Sequence, residues 1–339
     1  MAYTTIDDPT AYFQTTLFVG NQTARSITFD GNTNMQPDLV WIKPRDNGAW
    51  SHNLTDSVRG AGYGIFTDLT GAQYNYGTGT DGSVRTFDSN GFSIGTATQV
   101  NNSSSNIVAW SWKKVAGVFD IQTYAGNNTG SRQVSHNLGV VPSLIIIKNL
   151  TNASSWWVGS TEIPFTWNTD YLQLNETAAK GTDGGGHIFG AVPTSSYFVP
   201  GDNNDTNGNS NNYVAYLFGN KQGVSKVGSY TGNGNADGTF VYTGFKPAFV
   251  MQKSTTTTYG WQIYDNKRGG FNSENDELLA NTSAAETDGS GNGFPDFLSN
   301  GFKLRNTDIN KNASGVTYIY MAFAENPFVT STGVPACAR

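Results

Sequence analysis

Pro37-Asp38-Leu39-Val40-Trp41-Ile42-Lys43 returns as Pro142-Ser143-Leu144-Ile145-Ile146-Ile147-Lys148 and again as Pro247-Ala248-Phe249-Val250-Met251-Gln252-Lys253. The copies stand 105 residues apart, each a largely apolar run between a proline and a lysine. A repeat of that length decides the architecture before any single element does. Other landmarks keep step. Trp156 and Trp261 follow their prolines by 14 positions and Trp50 by 13, while Phe92, Tyr197 and Phe302 follow by 55. The copies open alike, at Val19-Gly20-Asn21, Ala125-Gly126-Asn127 and Thr231-Gly232-Asn233. They close alike at Ile107 to Trp112, Tyr213 to Phe218 and Tyr318 to Phe323.

Leu144 to Ile147 and Ile107 to Trp112 are apolar on both parities and rich in branched and aromatic side chains, as strands covered on both faces require. Asn90-Gly91 and Asn300-Gly301 supply turn residues for hairpins. Helical periodicity is nearly absent; Asp276 to Ala280 reads as one helical turn or as a strand lead-in. Short strands between Gly/Asn/Asp/Ser clusters predict an all-β chain of three tandem β-sandwich modules, of jelly-roll or lectin-like type. The modules run 1–117, 118–223 and 224–331, with a C-terminal tail at 332–339. In this arrangement Trp41, Trp110, Ile146, Tyr216, Phe249 and Phe323 are core, and Lys43, Lys148 and Lys253 mark equivalent strand ends.

The 339 residues hold 20 Lys+Arg and 26 Asp+Glu, a net charge of −6, which argues against nucleic acid as a partner. The single cysteine, Cys337, excludes an intramolecular disulfide and a cysteine-based zinc site. The first residues lack the basic and apolar regions of a secretory signal, and no apolar run reaches the roughly 18 residues of a spanning helix. The expectation is synthesis in the cytoplasm, no membrane insertion and no cofactor.

Ser51, His52 and Asp56 offer the residue types of a catalytic triad, but neighbours on a strand point to opposite faces. Asp56-Ser57-Val58-Arg59-Gly60 matches Asp265-Asn266-Lys267-Arg268-Gly269, and an Asp and Arg at this spacing read as an ion pair that staples a turn. The middle module lacks it around Glu162-Ile163-Pro164. The loop Asn203-Asn204-Asp205-Thr206-Asn207-Gly208 has the oxygen spacing that opens a calcium loop, and Asn233 to Gly238 is similar. Position twelve, where such a loop needs Glu, is Val214 in one and Gly244 in the other, so no metal is expected. Of Trp156 and Trp157, alternation sends one inward and leaves the other to contact sugar or a partner subunit. The candidate contact residues are therefore Trp156, Trp157, Asn203, Asp205 and Asn207, and the candidate contact segments are the Gly-rich 181–187 and the Asn/Asp-rich 201–212. Scattered acids such as Glu162, Glu176 and Glu286 do not make the paired carboxylates of a glycosidase.

The 37 to 43 run, Asp56 to Gly60, Asn90-Gly91-Phe92 and the closing Tyr-Met-Ala-Phe-Ala-Glu-Asn-Pro-Phe at 320 to 328 resemble modules in repeat-containing virion structural proteins of tailed bacteriophages, especially those of marine bacteria and cyanobacteria. The resemblance covers nearly the whole chain, the middle module departing most. It implies a non-enzymatic virion part located in the particle: a tail fibre or appendage subunit, with head-surface decoration or a carbohydrate-binding receptor module as the alternative. The partners it implies are other virion proteins, further copies of the chain and a host-surface glycan.

Overall fold

The computed structural model describes residues 4–269, 272–273, 276–288 and 295–337. The chain is all-β, and each 105-residue copy folds into the same pair of antiparallel sheets. The proline-to-lysine segment forms an inner strand of a six-stranded sheet (Leu39–Pro44, Leu144–Asn149, Phe245–Ser254). On one side lies the closing strand (Asn106–Trp112, Asn212–Phe218, Thr317–Pro327), with the opening strand (Phe13–Val19, Phe119–Ala125, Ser225–Thr231) at the edge. On the other side come Asn53–Asp56, Trp156–Ser160 and Gln262–Asp265, then Tyr63–Phe66, Asp170–Gln173 and Asp276–Leu279, then a two-residue edge strand. A three-stranded sheet, Arg25–Thr28, Val84–Asp88 and Gly91–Ile94 in the first copy, completes each sandwich.

Alternation explains the two-sided apolar strands. Val40 and Ile42 point toward the small sheet with Ile27 and Phe92, and Ile145 and Ile147 do the same in the second module. The opposite parity, Leu39 and Trp41, Leu144 and Ile146, Phe249 and Met251, enters one core built by all three modules. Rings cross every boundary there: Trp112 lies 6.5 Å from Phe218, Phe218 6.1 Å from Phe323, and Phe323 5.1 Å from Phe13. The three large sheets thus face inward around a shared centre. The six residues expected in the core all lie in it, each at most 4% exposed.

Gly117 and Gly223 sit in matching turns between modules, with φ of +80° and +81°. Residues 4–12 stand where a third linker would be: Tyr12 O accepts from Lys113 N as Val118 O accepts from Gly219 N and Val224 O from Ala324 N. Both ends of the chain meet nearby, with Ser331 N donating to Asp7 Oδ1 at 2.6 Å.

The register decides one sequence reading open between helix and strand and corrects three others. Asp276–Leu279 is a strand. Ser89-Asn90 and Ser299-Asn300 occupy the hairpin turns, and Gly91 and Gly301 begin the return strands, where a Cβ would come within 2.1 Å of Ile27 O and 2.0 Å of Val241 O. The equivalent of Phe92 and Phe302 is Phe198, not Tyr197, since these three oppose Ile27, Val241 and Val134. The equivalent of Trp156 and Trp261 is His52, not Trp50. Trp156 pairs directly with Lys148, and His52 and Trp261 immediately precede the partners of Ile42 and Gln252, which sets them opposite Lys43 and Lys253. Each backbone N–H donates to a carboxyl or amide oxygen, of Asp68, Asn175 or Asn281. The lysine-to-ring loop is one residue longer in the first module, which displaces the tryptophan.

Candidate functional site

The three seams between modules concentrate the buried polar groups, and one backbone pattern recurs at each. Gln73 N donates to Leu150 O (3.1 Å), Lys180 N to Thr255 O (2.9 Å) and Glu286 N to Arg45 O (2.6 Å). Each ring at the Trp156 position reaches back into the previous module. Trp156 Nε1 donates to Phe66 O and Trp261 Nε1 to Gln173 O, both at 2.8 Å. His52 Nε2 faces the Leu279 and Thr282 carbonyls of the third module without reaching hydrogen-bond geometry. First to second, second to third and third to first, the ring closes.

Facing the central core, the Asp-x-x-Arg-Gly pair of one module meets a ring on the next. Asp56 and Arg59 are bonded at 2.5 Å, and Tyr216 of the second module donates its hydroxyl to Asp56 Oδ2 at 2.8 Å. Asp265 and Arg268 are bonded at 2.6 Å; Trp110 of the first module donates its indole N–H to Asp265 Oδ2 at 2.9 Å, with the guanidinium 5.5 Å from its ring centre. At the remaining seam Ser160 and Ile163 replace the Asp and Arg, and Met321 stands at the register position of Trp110 and Tyr216. The ion pair and the polar ring are present together and absent together, as burial demands: a buried carboxylate needs donors, and a buried phenol or indole N–H needs an acceptor.

The three strand-end lysines are fully buried. Lys43 Nζ donates to Pro44 O (2.7 Å) and across the seam to Ser283 O (2.9 Å); Lys148 Nζ donates to Asn149 O (2.8 Å) and across to Thr70 O (3.1 Å). Lys253 stays within its module, on Ser254 O and Thr257 O. Burial pushes each ammonium down to about 8. Beside Lys43, burial and that neighbouring charge hold the His52 imidazole well below its ordinary value, so it is neutral, accepting at Nδ1 from Trp41 Nε1 at 2.9 Å.

This arrangement matches one family over residues 8–327, a stretch that takes in all three modules. The chain belongs to the DUF7483 family, a domain of unknown function. The DUF7483 unit is therefore the whole ring and not the 105-residue module. No curated protein and no solved structure matches the chain.

Within this DUF7483 ring the structure moves several expected contact residues inside. Trp156 and Trp157 do point to opposite faces, yet both are buried, at 0% and 8% exposed. Trp156 enters the shared core and Trp157 the second module's own core, because the neighbouring modules cover the face that an isolated sandwich would leave to solvent. Asn207 is also buried, and its role recurs: Asn101, Asn207 and Asn312 each accept from the backbone N–H of Asn21, Asn127 or Asn233. Next to each bond a glycine is required. A Cβ on Gly20, Gly126 or Gly232 would stand 1.9 to 2.3 Å from a carbonyl oxygen. The Gly-Asn landmarks at the strand ends carried this signal, but their buried partner asparagines were missed.

Asn203 Oδ1 caps Asp205 N and Thr206 N, and Asp205 accepts from Ser154 Oγ at 2.7 Å, so the loop is tied by its own side chains. No group of three potential metal ligands occurs among the described residues. In segment 181–187, exposed His187 pairs with Asp202 at 2.6 Å. Ser51, His52 and Asp56 do not assemble: His52 bonds Trp41 while Asp56 bonds Arg59 and Tyr216. Glu286 belongs to the seam, bonded to Arg45 and Arg268.

Proposed function

We propose that the chain is a non-enzymatic structural subunit of a tailed-bacteriophage particle, a tail fibre or appendage component that serves assembly or host attachment. The observation that carries this reading is the closed ring. Three sandwiches share one core, and both buried Asp–Arg pairs with two of the three buried strand-end lysines join neighbouring modules, which makes a rigid block that presents three related sets of loops. The sequence resemblance adds the particle, and the net charge of −6 speaks against a nucleic-acid role. Among the described residues no helix is long and apolar enough to cross a membrane. On this reading the subunit is made in the host cytoplasm, resides in the virion and assembles with other virion proteins and with copies of itself.

Purified particles carrying a C-terminal peptide tag on this chain, imaged with a gold-labelled tag binder, test the assignment. Label on the tail is expected. Label over the head would replace it with the decoration reading, and particles without label would remove the virion assignment.

A further inference from the structure

We propose that the groove at the seam between the first and second modules binds a neutral saccharide. The groove has a volume of about 440 Å³, within the range of small-ligand sites. Val58, Tyr63 and Gln73 line it from the first module, and Thr123, Leu150 and Asn212 from the second.

The other two seams serve as internal controls. Strand register makes Tyr63, Asp170 and Asp276 equivalent. The recurring seam bond makes Gln73, Lys180 and Glu286 equivalent and, opposite them, Leu150, Thr255 and Arg45. Between the third and first modules, Arg45 bridges this position to Glu286 at 2.6 Å and to Asp276 at 3.4 Å. At the second-to-third seam Lys180 pairs with Asp170 inside the second module, facing the uncharged Thr255. Between the first and second, all three positions are uncharged, no ion pair spans them, and the groove is open.

What replaces the charges suits a hydroxyl-rich ring. Tyr63 offers an aromatic face for the C–H side of a sugar, and Leu150 and Val58 offer aliphatic walls. Gln73, Asn212 and Thr123 carry uncharged donors and acceptors for hydroxyl groups. Gln73 is oriented from below: Arg59 Nη1 donates to its Oε1 at 3.3 Å, which turns Nε2 away from the arginine. The Arg59 charge is matched by Asp56, leaving no net charge in the floor to favour an anionic sugar. The inference deepens the attachment reading above and rests on it for the source of the sugar, the host surface.

The test uses the full chain against immobilised neutral hexose and N-acetylhexosamine oligosaccharides, with uronate-containing and sulfated oligosaccharides as charged controls. Binding to a neutral class is expected. Gln73→Glu combined with Leu150→Arg copies the ion bridge of the third-to-first seam and should weaken binding at least tenfold with the unfolding midpoint preserved; Tyr63→Ala should weaken it similarly. Absence of binding to every neutral oligosaccharide, a preference for the charged controls, or undiminished binding by the bridged variant overturns the site. Tail label with no neutral-sugar binding would remove this inference alone, whereas sugar binding by a chain missing from particles would remove the virion reading and leave the site.

Discussion

Arg45 and Glu286, 241 residues apart in the chain, form a two-nitrogen, two-oxygen ion pair with Nη2 to Oε1 at 2.6 Å and Nε to Oε2 at 3.0 Å. They join the only two modules that no linker connects. Glu286 also accepts from Arg268 Nη1 at 2.7 Å, so one carboxylate ties the seam to the buried pair behind it. A double-mutant cycle with Arg45→Ala and Glu286→Gln, followed by urea unfolding, should give a coupling energy of about 1 to 2 kcal/mol, in the range for contacts within one network. Additive effects would show the closure to be held by the apolar core alone.

The correlated loss at the middle module predicts a compensation. Arg59→Ile alone strands a buried carboxylate and should cost about 3 to 5 kcal/mol. Adding Asp56→Ser and Tyr216→Met copies the Ser160, Ile163 and Met321 solution and should recover at least half of that. A triple variant less stable than Arg59→Ile would show that the two solutions are not interchangeable.

The lysines give a pH signature. Unfolded, each keeps its proton to the ordinary value of 10.5; folded, only to about 8. Between these values the unfolded chain binds more protons, so stability should rise with pH above 8 and lie flat and lower beneath it. The rise should be visible up to about pH 9.5, before tyrosines ionise. NMR titration of the lysine side-chain carbons should show three resonances with midpoints near 8, and three unshifted midpoints would contradict the burial.

His52 acts on the acid side with the same sign. Its folded proton affinity is depressed, so below about pH 6.5 the unfolded chain takes up a proton that the folded chain refuses, and stability falls. His52→Gln should flatten the wild-type loss of unfolding midpoint between about pH 6.5 and 5. An unchanged slope would place the acid sensitivity elsewhere.

Asn207 provides the check on the contact loop. Asn207→Ala removes bonds to Asn127 Oδ1 and Thr129 O as well as the acceptor for Asn127 N, and should cost about 2 to 3 kcal/mol. Asn101→Ala and Asn312→Ala should behave alike. A neutral effect at 207 with losses at the other two would release that loop for an external partner.

The sequence revealed the three copies, the sandwich class and the core side chains because spacing and alternation are local properties of a strand. It also revealed the Asp–Arg staples, whose partners lie three residues apart. The shared core stayed hidden: Leu144 to Ile147 announces two covered faces, but nothing local says that one cover is two other modules. For the same reason one ring of the Trp156–Trp157 pair read as a surface candidate, although Trp156 enters the shared core and Trp157 the core of its own module. His52 escaped because an extra loop residue placed Trp50 at nearly the right distance from Pro37. The open groove needed the register of all three seams, since Tyr63, Gln73 and Leu150 become meaningful only beside Asp276, Glu286 and Arg45.

Covalent linkage of the three modules has a consequence for how such a molecule changes over generations. In a trimer of separate identical chains, any substitution appears at all three interfaces at once, so a change useful at one must be tolerated at the others. Here each interface is encoded separately. Met321 can stand at one seam while Tyr216 faces Asp56 at another, and an Arg45–Glu286 bridge can span one groove while another carries no charge at those positions. Joining the copies end to end retains the mechanical advantage of a threefold block and frees each third of the circle to specialise alone.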